Sequence, residues 1–184
     1  MNTPKRRAGA SSKSSIGSAG PGGMRRALAD ALPRWKVTIA GSLAWGMALG
    51  LSAVLTLLLE GWVAIDNIGR VGALYAAGGV IAFPPGLYLA RLLSRARPDT
   101  AFTAAFFCFA VASIGATSLL FAMHYRLYYS TWHGGPFSIE WYFQFFFTTL
   151  AALYQFLVLG MRLFVPFGLL ALFAVSLWHT RAKR

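Results

Sequence analysis

The sequence predicts an all-α integral membrane protein: four transmembrane helices, a kinked second span, and an extra interfacial helix or helical extension before the last span. Three observations carry this prediction. Of the 184 residues, 57% are hydrophobic and 12% charged, about half the charged share of a soluble domain. Mean hydropathy is +0.58, and the apolar residues fall in runs of about 20 or more, the length that crosses a bilayer. The third observation is where the cations stand. A net charge of +12 and a pI near 10.7 would suit nucleic acid. Here, however, the cations lie in the N-terminal tail and just outside apolar runs, as control of membrane topology requires. The lipid bilayer, not nucleic acid, is the expected partner.

Residues 1–36 read as a disordered basic cytoplasmic tail, and 37–184 as the membrane domain. The tail is rich in Ser, Gly and Ala up to Gly23 and has too little apolar surface to fold. Arg25, Arg26, Arg34 and Lys36 are placed to meet anionic lipid. The first apolar run begins near Val37. It comes too late and is too long for a cleavable signal peptide, so it reads as an uncleaved anchor.

Span 1 is expected at 37–59, ending on Glu60, Gly61 and Trp62. Ser42, Gly46 and Gly50 recur every fourth residue along it, and Ala40, Ala44, Ala48 and Ser52 form a second small row. Small residues let helix backbones approach closely in lipid, where no hydrophobic drive acts between helices. Such rows serve either packing within the chain or a contact with another copy or another membrane protein. Span 2 is expected at 71–93. Pro84 and Pro85 offer no amide hydrogens to the carbonyls of Val80 and Ile81, so a bend and a hinge are expected there. Span 3 is expected at 101–123. Its single cysteine, Cys108, excludes an intramolecular disulfide and a Cys-based metal site.

From Trp141 to Trp178 the chain is apolar except around Arg162 and Pro166. As one helix it would be about 57 Å long, nearly twice the hydrocarbon thickness. The charge bias resolves this. Lys and Arg number eight in the tail, one in 60–70, three in 91–99, one in 124–142 and three after Trp178. That alternation fits four spans with both termini cytoplasmic, in a plasma membrane such as the bacterial inner membrane. The last span is therefore expected at 154–178, with 137–153 lying along or dipping into the outer interface.

Gln144, Thr148, Gln155 and Arg162 form one polar stripe if that region is a continuous helix. A guanidinium at depth requires a partner or water. Glu60, Asp66 and Glu140 are the candidate counter-charges, with Glu60 foremost because it ends span 1 on the same side. Arg162, Gln155, Thr148 and Glu60 thus make a candidate intramembrane polar site. The segment after span 3 offers a second candidate site in His124, Arg126, His133 and Glu140. Tyr125, Tyr128, Tyr129, Trp132, Trp141 and Tyr142 form an aromatic belt around it. The histidines do not have metal-ligand spacing, and no cofactor is expected.

No P-loop, GxSxG or paired intramembrane carboxylate is present. The first functional reading is an accessory or scaffold subunit of a larger membrane complex. An oligomeric transporter or channel-like protein is the second, resting on span 2 and Arg162. The third is a membrane enzyme acting on a lipid or outer-face substrate.

Overall fold

A computed structural model describes residues 35–96, 100–129 and 138–181. The tail up to residue 34, Arg97, Asp99, His133 and the last three residues lie outside the described residues. All regular structure among the described residues is helical: α1 (Trp35–Leu59), α2 (Ile65–Ala96), α3 (Ala101–Tyr129) and α4 (Ile139–Gln155). A π turn (Phe156–Gly160) and a 3-10 turn (Met161–Phe164) follow, and then α5 (Phe167–Arg181). Four helical stretches are long and apolar enough to cross a bilayer: Trp35–Leu59, Ile65–Ser94, Ala101–Tyr128 and Ile139–Phe164. By length and composition this is a multi-pass membrane protein.

α1, α3 and α5 are apolar on every side, as buried or lipid-facing helices are. α1 buries Trp45, Leu49, Ala53 and Leu57 while exposing Ile39, Leu43, Met47 and Leu51. What distinguishes its inner face is size. A Cβ placed on Gly46 would lie 2.7 Å from the Ala76 carbonyl oxygen, and one on Gly50 would lie 3.0 Å from that of Gly72. From the other side, a Cβ on Gly79 would come within 2.8 Å of the Gly46 Cα. Gly46 and Gly50 of that row are thus spent on α2 within the chain, and Ser42 is buried. The second row splits: Ala40 and Ala44 are exposed, whereas Ser52 is buried.

α1 ends in a Schellman motif. The Trp62 amide donates to the Leu57 carbonyl and the Gly61 amide to that of Leu58, both at 3.1 Å. Gly61 takes the left-handed φ of +78° that this turn demands. The motif fixes Glu60 at the helix end. α2 then returns antiparallel to α1 and runs unbroken through Pro84 and Pro85. α3 packs along α2, with Thr117 seated against Gly78 and Phe109 against Gly86. The Trp45 indole reaches across to donate to Ser113 at 3.0 Å.

The expected last span does not exist as one helix. Residues 154–178 are interrupted at Val165, whose backbone is extended (φ −111°, ψ 135°). The cause is Pro166. Its ring disfavours helical backbone at the preceding residue, and it has no amide for the turn above. The helical run of spanning length in this region is Ile139–Phe164, by length and composition. Below the break, α5 packs against α1 and α3. Its His179 ring lies 3.3 Å from the Ser94 hydroxyl near the end of α2. The start of α1 and the ends of α2 and α5 thus share one end of the bundle, with Lys36, Arg91 and Arg181. The described acids Glu60, Asp66 and Glu140 belong to the other end.

The α1–α2 seam yields a contrast. Gly46→Val must push two backbones apart and is expected to cost about 3 kcal/mol or more. At Gly115 a Cβ meets nothing within 4 Å, so Gly115→Ala should be neutral or stabilising by up to about 1 kcal/mol. Thermal unfolding of both variants in one detergent checks this.

Candidate functional site

The interrupted fourth pass creates polar groups that lipid cannot satisfy. Neighbouring helices supply hydroxyls to meet them. Ser52 donates to the Leu163 carbonyl at 2.9 Å. The Thr56 hydroxyl donates to the Ser52 carbonyl at 2.8 Å and lies 3.4 Å from the Val165 oxygen. Tyr75 donates to the Gly160 carbonyl at 2.6 Å. The Arg162 carbonyl, expected to lose its donor to Pro166, instead accepts the Val165 amide at 3.0 Å.

These bonds hold the π and 3-10 turns as one wall of a cavity of about 560 Å³. That is within the range of small-molecule sites. Its inner surface is apolar, with Leu57, Val71, Leu74, Phe121, Phe156 and Leu163, and the exposed Leu159 stands at its rim. Tyr75 is buried there, stacked on Phe156 at 6.3 Å and tilted against Phe164 at 5.1 Å. The polar lining consists of Asn67, Arg70, His124, Gln155 and Arg162, all more accessible than Tyr75.

Arg162 Nη2 sits 3.2 Å from Glu60 Oε2. The sequence named this pair from the level of the two residues in the bundle. A carboxylate at the C-terminal end of α1 opposes the helix dipole, and the guanidinium offsets both. Arg70 is held differently, by neutral acceptors. Its Nε donates to the Asp66 backbone oxygen at 3.3 Å and its Nη2 to Asn67 Oδ1 at 3.0 Å.

Gln144, Thr148 and Gln155 of the expected stripe lie on the one continuous helix α4, but the stripe does not lead as a whole into the cavity. Gln155 and Arg162 reach the cavity, whereas Gln144 and Thr148 do not line it. The Thr148 hydroxyl turns back to the Gln144 carbonyl at 2.5 Å. The π and 3-10 turns between Gln155 and Arg162 also break the 3.6-residue period on which the stripe relied.

The members of the second candidate site stand on two elements, His124 and Arg126 on α3 and Glu140 on α4. His124 joins the cavity lining. Arg126 lies over the Phe145 ring, 3.8 Å from its centroid, and so ties α3 to α4. Glu140 occupies the first turn of α4, where a carboxylate suits the helix dipole. Beside it Ser138 caps the helix, accepting the Trp141 amide at 3.1 Å. His133 lies outside the described residues. Among the described residues no three His, Cys, Asp or Glu side chains converge as metal ligands.

Sequence reasoning missed Tyr75, Ser52 and Thr56. A signal for two of them was available: Ser52 and Thr56 stand four apart on α1, one turn, facing a helix that must break at Pro166.

Comparison of the chain with family models, curated proteins and solved structures finds no match.

The Arg162 side chain is 46% exposed and that of Glu60 31%. The pair is therefore nearer the exposed regime of about 0.2–1 kcal/mol than the buried one. A double-mutant cycle with Arg162→Leu and Glu60→Gln should give a coupling of about 1 kcal/mol by thermal unfolding in detergent. Strict additivity would mean that the two side chains do not interact.

Proposed function

We propose that this protein binds an amphiphilic, lipid-like ligand in the cavity formed by α1, α2, α3 and the broken fourth pass. The observation that carries the reading is the division of the cavity. An apolar interior suits a hydrocarbon chain, and the more exposed Arg70, His124, Gln155 and Arg162 suit a polar head. The protein acts by holding such a molecule within the membrane, as an accessory component rather than as a catalyst.

We place the end bearing Lys36, Arg91 and Arg181 in the cytoplasm of a bacterial inner membrane. The cavity then lies on the outer side, and both termini are cytoplasmic. The alternation of basic residues along the sequence supports this orientation. We also take Pro84 and Pro85 to bend α2 by more than about 20°, since their missing amides free the carbonyls of Val80 and Ile81. Spin labels at the two ends of α2 should then lie closer than a straight helix allows.

A second reading is a scaffold subunit of a larger membrane complex. It is favoured by α4, which packs chiefly on α3 and leaves Phe143, Phe146 and Phe147 exposed. Photocrosslinking from position 146 to a stoichiometric protein partner supports it. Crosslinks to lipid alone would overturn it.

Two outcomes test the main reading. Protein purified in mild detergent should retain an acyl-chain molecule by native mass spectrometry. Leu163→Trp, which fills the cavity wall, should lose that molecule while the fold persists. A reporter active only outside the cytoplasm, fused after Arg184, should be silent. Activity there would reverse the orientation.

A further inference from the structure

The cavity has a charge asymmetry that narrows what its polar end accepts. Two guanidiniums line it, Arg70 and Arg162. Among the described residues the ion pair at this end is that of Arg162 with Glu60. Arg70 is fixed by a backbone carbonyl and an amide oxygen, which orient its charge without cancelling it. Glu60 itself does not line the cavity. It reaches Arg162 from the Schellman turn at the end of α1, through Nη2 and Oε2. A guanidinium carries five donors in a fixed fork, so this contact leaves Arg162 with capacity for a second anion.

We infer that the ligand is an anionic acyl amphiphile, and that Glu60 is an internal counter-ion which its head displaces from Arg162. This deepens the amphiphile reading and rests on it. The exchange is chemically balanced. One anionic oxygen replaces another on the guanidinium. Glu60, already partly exposed, turns to water without leaving a buried charge. Before binding, Glu60 keeps Arg162 neutralised, so that a cation is not presented to hydrocarbon when the cavity holds no anion. Arg70 draws the incoming head by long-range attraction. A neutral head accepts only the weaker hydrogen bonds a guanidinium gives to uncharged oxygen and so has no means to replace Glu60. Carboxylate and phosphate heads share the chemistry that Arg recognises.

The test uses the full chain in phosphatidylcholine nanodiscs with a fluorescent acyl probe. Three competitors of matched chain displace it: oleate, oleoyl lysophosphatidate and neutral monoolein. Both anionic competitors should displace the probe about tenfold better than monoolein, the worth of one charge-assisted hydrogen bond. Preference for lysophosphatidate alone assigns a phosphate head, and preference for oleate alone assigns a carboxylate; either supports the inference. Glu60→Gln should improve both anionic competitors several-fold and leave monoolein unchanged, because Arg162 is then vacant. Arg162→Gln should erase the preference. Arg70→Gln, which removes no ion pair, should reduce it by itself if Arg162→Gln does not fold. Equal displacement by all three competitors, or weaker anionic binding in Glu60→Gln, would overturn the inference while the amphiphile cavity stands. Displacement by none of them would overturn the cavity reading too.

Discussion

Backbone amides and carbonyls have no solvent partner in hydrocarbon, and this constraint organises the molecule. A helix satisfies it internally, so the described residues are almost all helix. Where Pro166 forces an exception, the freed carbonyls must be met from outside the strand of helix that lost them. Ser52, Thr56 and Tyr75 do this from two different helices. The break is consequently locked to α1 and α2 on its inner side, while Val165 and Pro166 stay exposed on its outer side. The site follows from the same repair. The turn that Tyr75 holds by the Gly160 carbonyl also carries Arg162 to Glu60.

Close approach of α1 and α2 is the second requirement. With no hydrophobic drive between helices in lipid, contact area must come from shape. Gly46, Gly50, Gly72 and Gly79 let the two backbones touch. Two aromatic and aliphatic clusters fill the space beside that seam. Trp45, Phe83, Phe109 and Leu172 lie toward the basic end. Leu57, Tyr75, Phe156 and Leu163 lie toward the acidic end. The cavity opens next to the second cluster, where the irregular turns pack less completely than α-helix would.

Much of this was legible in the sequence. Hydropathy located α1, α2 and α3, because a membrane helix is specified by length and apolarity alone. The spacing of Ser42, Gly46 and Gly50 marked the seam, though not which neighbour it would meet. The Glu60–Arg162 pair was legible because each charge ended or interrupted an apolar run at one depth. The break within the last apolar stretch was not. Pro166 was visible, but charge counting outweighed it, and the span was drawn through the break. The convergence of His124 with Arg162 was hidden for a different reason. It depends on how α4 lies over α3, which packing decides and periodicity does not record.

The turn at Phe156–Gly160 is wider than an α turn, each bond spanning one residue more, and the 3-10 turn that follows is tighter. The two departures have opposite sense. Together with the extended Val165 they uncouple the rotational phase of α4 from that of α5. Ser52, Thr56 and Tyr75 pin those residues to α1 and α2. The face that α4 presents is therefore set independently of the face that α5 turns to the bundle, and it is the neighbouring helices, not a shared helical ladder, that fix the angle between them.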